Sequence, residues 1–308
     1  MNKESFKSRI QAKPKESPNA VTEKKGKHYA ISDIHGMYDA YEEAISKLNK
    51  KDHLYIIGDV IDRGPDGIKI LLDIIERQKD FKNSPEITFL LGNHELMLLA
   101  TVQIMLNHDW GGPELVDAMK SKNFIEFFNT VKGSGISQEE AYFINNWIRE
   151  NHGAKTLFDY LGNIQPRQMK EIYEFLLEAN VILPQKIDNQ DFLFVHSMPI
   201  NDKSKLEEMK KTGKGYNIME LSQKEYSFML TERYKQTYQL AQKFGFTTIC
   251  GHTPSYGTII NDKEKGFARI DAGCGHKKET SKLALYCIED DRVEYVDPKR
   301  QTDFGEPR

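Results

Sequence analysis

The sequence predicts a mixed α/β fold, an α/β sandwich with a helical insertion. The main indication is a cycle of apolar run, polar loop and helical pattern that occurs three times. The apolar runs lie at residues 28–32, 54–57 and 87–91. Because strands that alternate with helices are typical of parallel βαβ units with right-handed crossovers, we expect these three strands to share one sheet.

Each of the three runs precedes a segment with apolar residues at three- and four-residue spacing. This spacing is the pattern of a helix with one buried face. The segments lie at residues 41–48, 68–75 and 94–106. We therefore expect a helix after each of the first three strands.

The second half of the chain departs from this cycle. Residues 107–180 have helical patterns without a clear strand, and we interpret them as a helical insertion that shapes substrate access. Later strand candidates lie at residues 191–195, 247–250, 267–270 and 283–288. A glycine-rich loop separates the last two, so we expect an antiparallel hairpin there. Residues 28–308 are predicted to form a single catalytic domain.

Composition excludes several classes of protein. The net charge is −3 over 308 residues, and no basic block or long apolar run is present, so we expect neither nucleic acid nor a membrane as partner. Residues 1–27 lack the apolar core of a secretory signal and are predicted to be a disordered tail. Cys250, Cys274 and Cys287 form neither a CxxC pattern nor a disulfide framework. These features indicate a cytoplasmic enzyme.

Short polar segments follow five of the predicted strands. They are residues 33–36, 58–64 and 92–95, His196, and residues 251–254. In open α/β sheets, ligands bind at the carboxyl ends of the strands, so we expect these segments to meet in one crevice. Their glycines allow sharp turns and leave room for an ion.

The side chains of these segments offer oxygen and nitrogen without thiolate, the set that hard to borderline metal ions prefer. Three carboxylates (Asp33, Asp59 and Asp62), one amide and four imidazoles exceed the needs of one ion and suit a pair. Each residue has another possible role. Asp33, Asp59 or Asn93 could each be the N-cap of the following helix, and a lone histidine is often a hydrogen-bonded structural residue. The five segments together favour a metal site.

Three motifs carry a family resemblance. GDxxDRG at residues 58–64 and GNHE at residues 92–95 resemble the signatures of the PPP-type metallophosphoesterases, within the calcineurin-like phosphoesterase superfamily. The family's first motif, GDxHG, is present with Ser32 in place of the leading glycine. With GHTP at residues 251–254, the chain looks most similar to the bacterial and phage serine/threonine protein phosphatases. The resemblance covers residues 28 to about 100 and 190 to 290.

This resemblance implies a four-layer α/β/β/α metallophosphoesterase sandwich with two divalent metal ions, commonly manganese, iron or zinc. It assigns Asp33 and His35 to the first ion, Asp59 to both ions, and Asn93, His196 and His252 to the second. It also implies that a hydroxide shared by the two ions attacks phosphorus directly, without a covalent phosphoenzyme.

The resemblance assigns further roles beside the ions. His94 matches the general acid that protonates the leaving oxygen, and Asp62 matches the carboxylate that orients it. Arg63 matches the arginine whose planar guanidinium grips the substrate phosphate, which a lysine could not reproduce. Asn93 is expected to contact the phosphate as well.

A second phosphate-binding arginine is expected on a helix between the last two histidine ligands. Arg233 fits that position loosely, because Thr231 stands where the family usually has tryptophan. A solvated helix arginine is the alternative interpretation of Arg233.

The leading function implied by the resemblance is hydrolysis of phosphate monoesters, on phosphoserine and phosphothreonine proteins or on small esters. The alternative is hydrolysis of dinucleoside polyphosphates such as diadenosine tetraphosphate. Symmetrical enzymes of that kind typically have GNHD and lack the Asp of DRG, so Asp62 and Glu95 favour the phosphatase, although asymmetrical ones retain DRG. An inactive binding module would have lost ligands, and none is lost. The sequence does not indicate the oligomeric state.

Overall fold

The structure is a computed structural model that describes residues 26–80, 82–110, 112–233 and 236–299. Apart from its last two residues, the predicted disordered tail (residues 1–27) lies outside the described residues. Eleven strands of the described residues form one sheet. They are His28–Ile31 (β1), His53–Ile57 (β2), Glu86–Leu90 (β3), Asn180–Ile187 (β4), Gln190–Val195 (β5), Tyr216–Asn217 (β6), Phe246–Cys250 (β7), Ile260–Asp262 (β8), Phe267–Arg269 (β9), Leu283–Cys287 (β10) and Arg292–Val296 (β11).

The strand order is β11-β10-β1-β2-β3-β4-β5-β7-β9-β8, and β6 pairs with β4. The predicted parallel arrangement of the first three strands is confirmed, because β1 pairs with β2 and β2 with β3 in parallel. Ile31 lies opposite Ile56, and Ile57 lies opposite Leu90. The loops that follow these strands therefore begin at the same edge of the sheet.

The sheet is curled, so that its two halves face each other. The rings of Tyr55 on β2 and Phe194 on β5 stack with their centroids 4.1 Å apart, although β3 and β4 separate these strands in the sheet. Both side chains belong to a buried cluster of strand residues that also contains Ile57 and Ile249. Because successive residues of a strand point to opposite faces, Leu54 and Ile56 pack in the other core, against the helices.

Eleven α-helices lie in the described part of the chain. They are Tyr38–Ser46 (α1), Gly67–Lys79 (α2), Asn93–Asn107 (α3), Gly112–Met119 (α4), Phe124–Val131 (α5), Gln138–Glu150 (α6), Ala154–Gly162 (α7), Pro166–Glu178 (α8), Lys203–Thr212 (α9), Gln223–Thr231 (α10) and Gln236–Lys243 (α11). Helices thus cover the outer face of a sheet whose inner face packs on itself, which confirms the predicted sandwich class. None of the described helices is long and apolar enough to span a membrane.

The residues expected to form a helical insertion contain α4 to α8. Their aromatic side chains are mostly packed, as predicted. Phe127 and Trp147 are fully buried, and Phe124, Phe128 and Phe143 are partly buried against the main core, whereas Tyr142 is exposed. The last helix of this group, α8, leads directly into β4.

One prediction about strands is wrong. The candidates at residues 267–270 and 283–288 do not pair as a hairpin, because β9 pairs with β7 and β8 while β10 pairs with β1 and β11. The sequence analysis also missed β4, whose run contains Pro184. Pro184 lies opposite Leu193 of β5 and beyond the short pairings of β4 with β3 and β6, so on its other side no described strand pairs with it, as at the edge of a sheet, where proline is tolerated.

Candidate metal centre

The loop after β1 places Asp33 and His35 beside the loop after β2. Asp33 N–H donates to the carbonyl of Gly58 at 3.1 Å, and His35 N–H donates to the carbonyl of Asp59 at 2.9 Å. Asp33, His35 and Asp59 have left-handed backbones, with φ of 52°, 48° and 55°. Helix α1 has Met37 as its N-cap, and helix α2 has Asp66. Asp33 and Asp59 are therefore not helix caps, and the strain of their conformations is held by the neighbouring loop.

The carboxylate of Asp59 lies at the centre of the cluster. Its Oδ1 accepts from the backbone N–H of His94 at 3.0 Å. Its Oδ2 lies 3.2 Å from Nε2 of His196, 3.8 Å from Nε2 of His94 and 3.9 Å from Nε2 of His35. One buried oxygen thus faces three imidazoles, as a carboxylate shared between two ions would.

His35 offers a buried lone pair with no protein partner. Burial, followed by the nearby charge of Arg63, lowers the pKa of His35 well below its ordinary value, so the ring is neutral. Its Nδ1–H donates to the carbonyl of Ile61 at 2.9 Å. Its Nε2 has no hydrogen-bond partner among the described residues and lies 4.0 Å from Oδ1 of Asp33. A lone pair aimed between carboxylates fits a cation.

His196, His252 and Asn93 form the other side of the cluster. Nδ1 of His196 donates to the carbonyl of Ile57 at 2.9 Å, and Nε2 of His252 donates to the carbonyl of Thr231 at 3.1 Å. Nε2 of His196 lies 3.0 Å from Oδ1 of Asn93, and Nδ1 of His252 lies 2.9 Å from the same oxygen. The backbone carbonyls therefore fix each ring so that its second nitrogen points to one shared place.

The electrostatics of the cluster favour a positive charge there. Burial opposes protonation of His196, but the carboxylate of Asp59 outweighs it and raises the pKa of His196 to about 10. Burial also opposes ionisation of Asp59, yet His196 and His94 lower its pKa well below the ordinary value. Burial and the charge of His196 lower the pKa of His252 to about 3, so of these two rings only His196 carries a positive charge at neutral pH.

Two glycines allow the segments to approach one another. A Cβ on Gly251 would lie 2.1 Å from Oδ2 of Asp33 and 2.5 Å from Oγ of Ser32. A Cβ on Gly92 would lie 2.3 Å from both N and Oδ1 of Asp59. Any larger residue at either position would displace a carboxylate of the cluster.

His94 and Asp62 form a buried pair next to the cluster. Nδ1 of His94 donates to Oδ2 of Asp62 at 2.6 Å, and the indole N–H of Trp147 donates to the same oxygen at 2.6 Å. Burial opposes protonation of His94, but Asp59 and Asp62 together raise its pKa above the ordinary value. The pair therefore stabilises a protonated imidazole beside the cluster.

The two arginines predicted to bind phosphate lie at the rim of the cluster. Arg63 is partly exposed, and its Nη1 donates to Nε2 of His276 at 2.9 Å. Arg233 is exposed and lies beyond the end of α10 rather than on the expected helix. Burial is the main cause of the lowered pKa of His252, and the charge of Arg233 makes a smaller contribution in the same direction.

Sequence reasoning assigned no role to several residues that support the cluster. The carboxylate of Glu95 accepts from the backbone N–H groups of Asp59, Val60, Ile61 and Gly92 at 2.8–3.3 Å. The position of Glu95 in the GNHE motif was the one feature of the sequence that could have indicated this role. Trp147, Thr156 and His276 gave no signal, because their partners lie far away in the sequence.

Comparisons with known proteins add to this geometry. Residues 27–256 match a sequence model described as calcineurin-like phosphoesterase. The fold is also similar to a protein serine/threonine phosphatase from Saccharomyces cerevisiae described as similar to human phosphatase PP5. The TM-score is 0.55 at 12% identity, over 91% of this chain and 82% of that one. At this identity the likeness concerns the fold alone.

Curated relatives carry the name bis(5'-nucleosyl)-tetraphosphatase, symmetrical. One from Buchnera aphidicola subsp. Schizaphis graminum is 32% identical over 124 residues, which is 39% of this chain and 37% of the relative. Another from Wigglesworthia glossinidia brevipalpis is 41% identical over 75 residues, which is 23% of this chain and 25% of the relative. The matches thus span well under half of each relative.

Proposed function

This chain belongs to the calcineurin-like phosphoesterase family, and we propose that it hydrolyses phosphate esters or anhydrides with the help of two divalent metal ions. The observation that carries the proposal is the buried Nε2 of His35, which has no partner in the described part of the chain and faces the carboxylates of Asp33 and Asp59. Such an arrangement is costly without a cation.

We assign the ion ligands as the sequence analysis did. Asp33 and His35 would hold the first ion, Asp59 both ions, and Asn93, His196 and His252 the second. When bound, the pair of ions would lower the pKa of a water and neutralise charge on the phosphoryl group. The ligand set contains only oxygen and nitrogen, which supports manganese first and iron or zinc as alternatives.

The remaining residues act on the substrate itself. His94 would give the proton on its Nε2 to the leaving oxygen as the P–O bond breaks, and Asp62 would keep that ring charged and aimed. Arg63 and Arg233, at the rim, would bind the phosphate oxygens, and Asn93 would contact the phosphate from within the cluster.

For the substrate, we propose first a dinucleoside polyphosphate such as diadenosine tetraphosphate. The support is the name that the curated relatives share, together with their identity of 29–41% over 75–124 residues. This places first the class that the sequence analysis placed second. The presence of Asp62 and Glu95 does not outweigh those relatives, because neither residue bars a phosphoanhydride from the site.

A phosphoserine or phosphothreonine protein is the second candidate, and the buried hydrogen bond between Asp62 and His94 favours it. An alkoxide is a poor leaving group that needs a strong general acid, whereas a nucleotide phosphate leaves more readily. A histidine that is held in its charged form by a buried carboxylate is therefore a general acid suited to an ester substrate.

The test is a release assay on protein reconstituted with Mn²⁺, with diadenosine tetraphosphate and phosphoserine peptides offered side by side. Symmetrical cleavage by one water yields two ADP, whereas asymmetrical cleavage yields AMP and ATP. We expect ADP as the main product and a lower kcat/KM for the peptides. Faster peptide turnover would reverse the order of the two candidates, and the absence of turnover on both would refute the proposed function.

A further inference from the structure

The α6–α7 turn, by which we mean residues 147–156 with the end of α6, the connection at 151–153 and the start of α7, reaches from the helical segment to the Asp62–His94 pair. It contributes the side chains of Trp147 and Thr156 and the carbonyl of His152. We propose that this turn positions the general acid and that Trp147 is a positioning residue for proton transfer. The proposal rests on the proposed function for the role of His94, but its geometry is independent of the substrate.

The side chain of Asp62 is held through one oxygen. Its Oδ2 accepts from Nδ1 of His94 and from Nε1 of Trp147, both at 2.6 Å. Its Oδ1 is buried without a hydrogen-bond partner in the described part of the chain. The direction of the carboxylate is thus set by two donors, and only the indole is anchored outside the cluster.

The backbone beneath this carboxylate is held by the same turn. Asp62 and Arg63 have left-handed backbones, with φ of 68° and 63°. Asp62 N–H donates to Oγ1 of Thr156 at 3.0 Å, and Arg63 N–H donates to the carbonyl of His152 at 3.4 Å. Two consecutive non-glycine residues in this region are strained, so external hydrogen bonds are needed to keep them there.

The turn is shaped around the indole. Trp147 is fully buried, and its carbonyl accepts from the N–H of Gly153 at 3.0 Å. A Cβ on Gly153 would lie 2.4 Å from Nε1 of Trp147, the atom that donates to Asp62. The close packing therefore holds the indole in one orientation. In that orientation its Nε1–H points at the carboxylate of Asp62.

Loss of the indole donor has a specific chemical consequence. Without it, the carboxylate of Asp62 can rotate, and the His94 ring is no longer aimed at the leaving oxygen. The N–H bond of His94 must break as the leaving oxygen gains its proton, so only the proton-transfer step suffers. Substrates with poor leaving groups need that proton, whereas p-nitrophenyl phosphate needs it little.

The activity test compares Trp147→Phe with Trp110→Phe. These are the two tryptophans of the chain, and Trp110 is also buried, with an indole nitrogen that has no partner in the described residues. In Trp147→Phe we expect kcat on an alkyl phosphate such as phosphoserine to fall about 10- to 100-fold, the weight of one charge-assisted hydrogen bond. The kcat on p-nitrophenyl phosphate should fall less than about threefold and KM should stay unchanged. Trp110→Phe should leave all of these values unchanged.

A second pair of variants tests the backbone contact. Thr156→Val removes the acceptor of the Asp62 N–H at nearly constant volume, whereas Thr156→Ser keeps it. We expect the same selective loss in Thr156→Val and its recovery in Thr156→Ser. Equal losses on both substrates in Trp147→Phe, or a valine variant as active as the serine variant, would overturn the positioning role.

A spectroscopic measurement does not depend on turnover. The two indole N–H signals can be assigned in ¹⁵N-labelled protein from the two phenylalanine variants. We expect the Trp147 signal downfield of the Trp110 signal and shifted by Asp62→Asn, while the Trp110 signal stays in place. An unshifted Trp147 signal would overturn this inference and leave the proposed function standing. If the wild-type protein is inactive but the Trp147 signal shifts as expected, the proposed function is refuted while the hydrogen bond from Trp147 to Asp62 is supported.

Discussion

Oδ2 of Asp59 lies 3.2 Å from Nε2 of His196, and both side chains are buried. In the neutral ring, Nδ1–H of His196 donates to the carbonyl of Ile57, so Nε2 has only a lone pair to offer to the carboxylate. The two atoms can therefore attract each other only through the positive charge of a proton or a metal ion that lies between them. In the free protein, the raised pKa of His196 supplies that charge as a proton. A metal ion in the same place would remove the proton and use both atoms as ligands.

The first prediction follows from this pair. Excess chelator followed by dialysis should abolish hydrolysis, and Mn²⁺ should restore it. Asp59→Asn should be the most damaging ligand change, because a neutral amide cannot bridge two cations as a carboxylate does. Metal content by elemental analysis and kcat should fall together, and the exposed Asp297→Asn serves as control. Full turnover in excess chelator would refute the two-metal site.

The second prediction separates acid catalysis from metal binding. His94→Asn should lower kcat by roughly 10²–10⁴-fold, the usual contribution of a general acid. Metal content should stay near that of the wild type, and the loss should shrink on p-nitrophenyl phosphate. If the variant instead loses an ion, His94 is a ligand and its assigned role is wrong.

A third prediction concerns Glu95, whose carboxylate accepts from four backbone N–H groups in the loops around Asp59. Glu95→Gln replaces one acceptor oxygen with an NH2 group that cannot accept, which should lower the free energy of unfolding by about 2 kcal/mol. Urea denaturation of the metal-free protein measures this directly. Glu139→Gln, on the exposed side of α6, should have little effect. Equal stability of the two variants would mean that the loops do not depend on Glu95.

A fourth prediction gives a pH dependence at the rim. Burial, followed by the charge of Arg63, lowers the pKa of His276 to about 4. Its ordinary value is about 6.5, so between these values the unfolded chain binds a proton that the folded chain does not. Stability from this residue is complete above pH 6.5 and is lost as the pH falls towards 4. His276→Gln should reduce the change in the free energy of unfolding between pH 4 and 6.5. If that change is the same in the variant and the wild type, the pH dependence does not come from His276.

The fifth prediction concerns the outer part of the helical segment. Residues 132–135 form an exposed turn between α5 and α6, ahead of Trp147. Shortening this turn should change the ratio of activity on a bulky phosphopeptide to activity on p-nitrophenyl phosphate, because we expect the helical segment to form a wall of the cleft. Activity on the small substrate should survive, since the proposed ligands lie elsewhere. A folded variant with an unchanged ratio would show that this part of the segment is structural only.

Local patterns in the sequence determined the first half of the fold and the members of the cluster. The cycle of strand, loop and helix is local, and parallel strands end at one edge of the sheet. For these reasons the sequence predicts that Asp33, Asp59 and Asn93 lie close together. The structure places them around the rings of His35 and His196, while their roles as ligands remain predictions.

Tertiary packing decided what local patterns do not contain. Strand partners depend on contacts across the whole chain, so the sequence did not reveal that β10 lies beside β1, or that β4 tolerates Pro184. The partner of a buried carboxylate is equally non-local. Trp147 lies 85 residues from Asp62 in the sequence. A helical pattern could predict only that Trp147 would be buried, since the direction of its N–H is fixed by how the helices pack on the loop.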